Sequence, residues 1–410
     1  MPIAIKQKSL DDWMFYLLCL FSLMLGISVA GANIPLSILC PLFLYRLYRD
    51  PPNRNRLREL DHGFFMTFGA FMIATVLSWI FSDAPAKGFP FFINHYGFRL
   101  IPFFTVLFWF RDKKRLWTLA FLLVISISIT NMISIVQELH FMLTSAAKYT
   151  SRFSGFINIM AHAGLLSAAV PIFFLATIFR RKLQWPWVPP FLLFIGILAL
   201  ICNGTRGAWL AAAATIVALF FLLLPSLKQK KTVILSLCGV LLLSCSLFLF
   251  SPFLAHRLTS ITDMNMRSNS ERLYAWTGAY HMFLDHPVFG VGLAEYAHAY
   301  RTKYILPEAK MSLGHAHSNV MQMFGERGAL GGLTFIAFWI YCMVFSVRGW
   351  KRTQQSVYLA FFAVVLGVML QGLTECNLLT VVVSKAFWYS SAICLQWIAL
   401  TEHPSSRSLS

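Results

Sequence analysis

Charge is what this 410-residue chain lacks: Asp, Glu, Lys and Arg make up 12% of it, against 58% hydrophobic residues and a mean hydropathy of +0.66. A water-soluble chain carries about 25% charged residues, so a soluble globular protein is excluded. No Gly-Lys-Ser/Thr phosphate loop occurs, which argues against nucleotide hydrolysis. Internal repeats, coiled-coil heptads and low-complexity tracts are missing. The eight cysteines show no paired metal spacing and read as small apolar residues. His315 and His317 lie close together, but no carboxylate or cysteine partners them at tight ligand spacing, so neither a metal nor another cofactor is expected.

Long apolar runs are what the chain has instead. Runs of roughly 17 to 22 residues, each able to cross a hydrocarbon core of about 30 Å, recur about twelve times. They fall near 13–29, 32–48, 63–82, 95–111, 117–136, 158–179, 186–202, 207–225, 232–251, 328–347, 356–375 and 383–401. The second and fourth carry Pro41 and Arg99. The expected fold is all-α: a polytopic membrane protein with one large, partly helical outward loop. Its parts are helices one to nine over residues 1–250, the loop over 251–327, helices ten to twelve over 328–401 and a polar tail over 402–410. Basic residues set the orientation. Of the 34, 21 lie in one alternating set of connections and six in the other, the long loop aside. Both termini are thus expected in the cytoplasm and the loop outside. The net charge of +18 is mostly this topology signal, scattered in short turns, and nucleic-acid binding is not expected. The first run ends in Ala30-Gly31-Ala32, which resembles a leader cleavage site. Its removal would upset the charge alternation, so the run is expected to be retained.

Polar groups in lipid are costly and usually face a site or a cavity. The outward ends of the spans hold many: His95 and Arg99; Arg152, Asn158 and His162; Asn203, Thr205 and Arg206; Glu375 and Asn377; Lys385. One polar chamber at the outer leaflet would collect them; snorkelling to the interface is the alternative. The Gly204-Thr205-Arg206-Gly207 turn holds a guanidinium close to the membrane, where its planar fork suits a phosphate. Lipid headgroups are the simpler partner. In the loop, Ser270 is a candidate cap for an amphipathic helix that stops before Pro287. Arg272 then sits near the helix start, where the dipole favours an anion. Pairing with Glu271 or Asp285 is the alternative. His317 precedes Ser318, Asn319, Glu326 and Arg327 and the glycines at 328, 331 and 332. Histidine accepts protons near neutral pH. A helix beginning near His317 would turn it toward the chamber. His315 is its rival, though two positions away on a helix it would point elsewhere; a capping or interface histidine is the other reading.

These features in this order resemble the O-antigen ligase and polymerase superfamily of Gram-negative inner membranes. They are about twelve spans, the Thr205-Arg206-Gly207-Ala208-Trp209 turn, a large loop with Arg272 and His286-Pro287-x-x-Gly290-x-Gly292, and His317-Ser318-x9-Gly328-x-x-Gly331. The resemblance implies a metal- and nucleotide-independent glycosyltransferase acting at the periplasmic face. Its donor is a glycan on undecaprenyl diphosphate. Its acceptor in the ligases is lipid A–core oligosaccharide. By resemblance Arg206 and Arg272 contact the diphosphate, and His317 is the general base. Arg99, Arg152, His315, Arg327, Glu375 and Lys385 are further candidates for substrate binding. Gly332 stands where the ligases often have Thr. A polymerase with the same donor, and a polyprenyl-lipid or polysaccharide transporter, are the competing readings. A transporter should show repeated halves and charges near the bilayer midplane.

Overall fold

The computed structural model describes residues 9–52, 54–144, 152–226, 234–235, 238–239, 259–260, 263 and 266–403. Among them every regular element is helical. In chain order they are α1 (Leu10–Met24), α2 (Val29–Arg49), α3 (Arg54–Glu59), α4 (His62–Ile80), α5 (Pro85–Phe92), α6 (Ile101–Trp109), α7 (Lys113–Thr144), α8 (Ile159–Ile178), α9 (Val188–Asn203), α10 (Arg206–Leu223), α11 (Arg267–Asp285), α12 (Tyr296–Ala299), α13 (Asn319–Thr353), α14 (Ser356–Gln371) and α15 (Val381–Glu402). Seven are long and apolar enough to cross a membrane: α2, α4, the composite Pro85–Trp109, α7, α8, α10 and α13. The apolar α9 and α14 are shorter. The expected run at 232–251, apart from 234–235 and 238–239, lies outside the described residues.

Two expected runs with awkward residues behave differently. α2 continues through Pro35 and Pro41. The run with Arg99 is broken: Pro90 is followed by a π-helical turn at Ile93–Gly97 and a 3-10 turn at Phe98–Leu100 before α6 begins. Proline removes a backbone donor and crowds the preceding turn, so a re-registered helix is the physical outcome.

The core is largely aromatic. Phe64 and Phe68 of α4, Phe103 of α6, Phe338 of α13 and Trp388 of α15 meet with ring centroids between 5.2 and 6.4 Å. In lipid such packing holds helices together by close contact rather than by water exclusion. Small residues do the same between α8 and α14, where Gly367 lies against the backbone of Ser167 and Ala168.

The two ends of the bundle differ in character. At one end the scarce acids meet basic residues: Asp11 with Arg46, Asp12 with Arg115, Glu59 with Arg111 and Glu402 with Arg352. At the other end, α9 stops and α10, α13 and α15 start. The C-terminal side of α9 is tied to the start of α8 there by Asn203 Nδ2, which donates to the Ile159 carbonyl at 3.0 Å.

Candidate active site

A kink sets the loop against the bundle. α13 begins at Asn319, close to His317 and nine residues ahead of the expected apolar run at 328–347, and Gly328 interrupts it at φ 63° and ψ −162°. The amides of Ala329 and Leu330, which would normally return to Gly325 and Glu326, donate instead to the carbonyls of Pro287 (2.8 Å) and Val288 (3.3 Å). The freed Gly325 and Glu326 carbonyls accept from Val291 (3.1 Å) and Gly292 (3.0 Å). This exchange satisfies the buried backbone while clamping 287–292 onto the helix. A Cβ at Gly290 would overlap the Glu326–Arg327 peptide, and one at Gly328 would overlap the Val288 carbonyl. Both glycines have positive φ. The His-Pro-x-x-Gly-x-Gly and glycine elements are therefore two sides of one joint.

Ser318 caps the N-terminus of α13, and its Oγ accepts from the Met321 amide. His317 lies just outside the helix in the left-handed region, at φ 48°. Non-glycine residues there are uncommon and are held by their surroundings. The loop after α14 is fastened to the same helix start. The Asn319 amide donates to the Gly372 carbonyl at 2.7 Å, and Asn319 Nδ2 donates to Asn377 Oδ1 at 2.7 Å. Asn377 Nδ2 in turn donates to the Val368 carbonyl at 2.7 Å.

That fastening delivers Glu375 to the histidines. Its Oε2 lies 3.2 Å from His317 Nδ1 and 3.5 Å from an Arg272 terminal nitrogen; its Oε1 lies 3.9 Å from His315 Nε2. Burial works to raise the Glu375 carboxyl. The hydrogen bond from His317 and the positive charges of His317, His315 and Arg272 outweigh it and hold the group below its ordinary range. An ionised carboxylate only accepts, so His317 donates from Nδ1. Among the described residues nothing hydrogen-bonds its Nε2, and the side chain is 21% exposed, so that nitrogen can reach a ligand. His315 uses Nδ1 to accept the His317 amide at 3.2 Å. Burial, then the neighbouring His317 charge, pushes His315 below its ordinary value.

This geometry corrects two expectations. The two histidines do not diverge along a helix: both precede α13, their rings 4.2 Å apart, and both face Glu375. Arg272 is not at a helix start. α11 begins at Arg267 after Met266, not at Ser270, which leaves Arg272 in the second turn, beyond the reach of the dipole. Its partner is Glu375, whereas Glu271 accepts from the Lys310 and Met311 amides and Asp285 pairs with Lys303.

The other expected site residues form separate groups rather than one chamber. Arg206 is the first residue of α10, after Gly204 in the left-handed conformation. Its guanidinium donates to the Ser260 carbonyl, Ser268 Oγ (3.0 Å) and Asn269 Oδ1 (2.7 Å). Ser268 and Asn269 lie four and three residues before Arg272, so Arg206 contacts the turn of α11 that precedes Arg272. Arg152 is beside Arg206, donating to the Asn203 carbonyl at 3.0 Å and to Thr205 Oγ1. Arg99, Arg327 and Lys385 are buried elsewhere in the bundle. Arg99 meets His95 Nε2 at 2.9 Å and the Leu379 carbonyl at 3.1 Å. Arg327 donates to Thr75 Oγ1 (3.0 Å) and Tyr96 Oη (2.8 Å), and Lys385 to Asn33 Oδ1. His162 is buried on Asn131 at 2.8 Å.

The fold also supplies the carboxylate that local spacing could not show beside the two histidines. The ligand atoms of His315, His317 and Glu375 lie within 4.8 Å of one another, a set that could hold a metal ion. The Arg272 guanidinium already stands on the same carboxylate, and the His317 amide occupies one nitrogen of His315. A cation in place and an engaged imidazole fit a proton-handling cluster better than a metal centre.

Fold and site together define a helical integral membrane protein with a carboxylate, two imidazoles and a guanidinium gathered at one end of its bundle. Residues 191–336 match the family model described as O-antigen ligase. The match supports placing the chain in the O-antigen ligase and polymerase superfamily, and it runs over Arg206, Arg272, His317 and the glycine joint. No curated protein matches the chain by sequence.

Proposed function

We propose that this protein is a glycosyltransferase of the bacterial inner membrane. It moves a glycan from undecaprenyl diphosphate to a hydroxyl of the lipid A–core oligosaccharide. The observation that carries the reading is His317, with its Nδ1 on Glu375 and its Nε2 without a hydrogen bond among the described residues, next to Arg272 in a segment matched by the family. In this reading His317 Nε2 takes the proton of the acceptor hydroxyl as its oxygen attacks the anomeric carbon. The carbon–oxygen bond to the diphosphate breaks, and the leaving group departs with the electron pair. Attack from the opposite face inverts the anomeric centre. A positioned base contributes about 10²- to 10⁴-fold. Arg272, with Arg206 against the preceding turn of the same helix, stabilises the charge on the leaving diphosphate, a type of contribution worth about 3 to 4 kcal/mol per donor. Arg206 must exchange part of its contacts with Ser260, Ser268 and Asn269 to do so.

The periplasmic face is the working side in this reading, with both termini in the cytoplasm. A polymerase, which extends the glycan on its carrier, is the alternative; Gly332, in place of the Thr frequent in ligases, weakens the ligase reading slightly and leaves the superfamily untouched. A deletion strain separates the two on a lipopolysaccharide gel. Loss of every capped species supports the ligase. Retention of the single-unit species supports the polymerase.

A further inference from the structure

Glu375 lies beyond the segment that the family model covers, yet it is the group the other members of the site share. Its side chain is 6% exposed; one oxygen serves both His317 and Arg272, and the other faces His315 at 3.9 Å. A carboxylate buried this far has little surface to offer a sugar. Its place is set by two buried asparagines, Asn319 and Asn377, which lock its loop to the start of the helix that follows His317.

We propose that Glu375 is the positioning carboxylate of His317: it accepts the Nδ1 proton, leaves Nε2 as the only nitrogen able to take a proton, and holds Arg272 until a diphosphate draws that guanidinium away. The inference rests on the reading of His317 as the proton acceptor. When Nε2 takes the hydroxyl proton, the ring becomes an imidazolium whose charge is balanced by Glu375 at 3.2 Å. The proton stays on the ring until it passes to water, so no further reactant is required. With Arg272 on the same oxygen, the resting carboxylate is partly neutralised. Donor binding, by engaging Arg272, strengthens the carboxylate for His317 just when a base is needed. Substrate binding and base strength are thereby coupled through one oxygen.

The test compares Glu375→Gln, Glu375→Asp and His317→Ala in the full-length protein in detergent. Single-turnover transfer from a purified undecaprenyl-diphosphate glycan is followed across pH, with the donor Kd measured in parallel. Other charged and titratable groups face the ring: His315 from its own loop, Arg272 from α11 and Cys376 beside Glu375. Each variant leaves these three unchanged. Glu375→Gln should lower transfer about 10²- to 10⁴-fold, as amide replacement of the carboxylate beside a catalytic histidine does elsewhere. The acid limb of its residual pH profile should move to lower pH, because the imidazolium loses its counter-charge. Its donor Kd should be unchanged or tighter, since Arg272 loses a competitor; this also shows that the variant is folded. Glu375→Asp should recover part of the rate. A wild-type rate with an unmoved profile in Glu375→Gln overturns the inference, as does a loss explained wholly by weaker donor binding. Activity in His317→Ala removes the general base itself, which is a different failure from an inert Glu375 beside an essential His317.

Discussion

At the scale of single residues, the proposed recognition of a diphosphate falls to Arg272 of α11 and to Arg206 of α10, which hydrogen-bonds to the first turn of α11. Arg206→Ala and Arg272→Ala should each depress transfer strongly, while the lysine variants retain part of it, because an ammonium keeps the charge but not the planar fork. Donor-lipid binding and turnover, at matched expression, check this; near-normal turnover in both alanine variants would withdraw the role. The histidines differ in the use each makes of Nδ1: that of His317 donates to Glu375, and that of His315 accepts the His317 amide. His315 has Nδ1 on a backbone amide and is held low by burial and then by the neighbouring positive charge. A folded value below the unfolded one, near 6.5, gives stability that is complete above that pH and lost as the pH falls through the folded value. Thermal melting in detergent between about pH 7 and pH 5 should therefore show an acid-side loss of stability that is shallower in His315→Ala. Equal slopes would show that His315 does not titrate between the two states.

At the scale of elements, the joint between 287–292 and α13 decides whether the loop presents its residues at all. Gly328→Ala forces a side chain into the left-handed region and onto the Val288 carbonyl. The expected cost is about 1–3 kcal/mol, with a loss of transfer that exceeds any loss of donor binding. Melting temperature and donor Kd report the two separately; wild-type stability in the Gly328→Ala variant would mean that the swapped backbone bonds are dispensable. The kink was half legible. The glycines at 328, 331 and 332 stood out in the sequence, but the segment that packs on Gly328 comes from 38 residues back, at Gly290. The start of α13 was readable in principle from Ser318, a cap residue directly after His317. α11 shows the limit of cap reading. Ser270 has the right side chain, yet the helix starts earlier because Arg206 binds Ser268 and Asn269 from another element.

At the scale of the whole molecule, the apolar runs were legible because bilayer thickness imposes a length on each. The helix ends carrying Arg46, Arg111, Arg115 and Arg352 do meet at one end of the bundle. The site was legible only as residue types. Glu375 and His317 are 58 residues apart in sequence, and their pairing depends on how α13, α14 and α15 pack. The same packing draws Arg99, Arg327 and Lys385 into separate buried groups that no local spacing could distinguish from one chamber. Orientation in the membrane is tested by single cysteines at positions 268 and 309 with an impermeant reagent. Labelling from the periplasmic side is expected, and labelling from the cytoplasm alone would invert the topology. If His317 accepts the proton in transfer of a lipid-linked glycan, single-turnover transfer from purified donor, with the wild type and His317→Ala side by side, should give product from the wild type and none from the variant at equal donor occupancy. Product formed at a similar rate by His317→Ala would rule the role out.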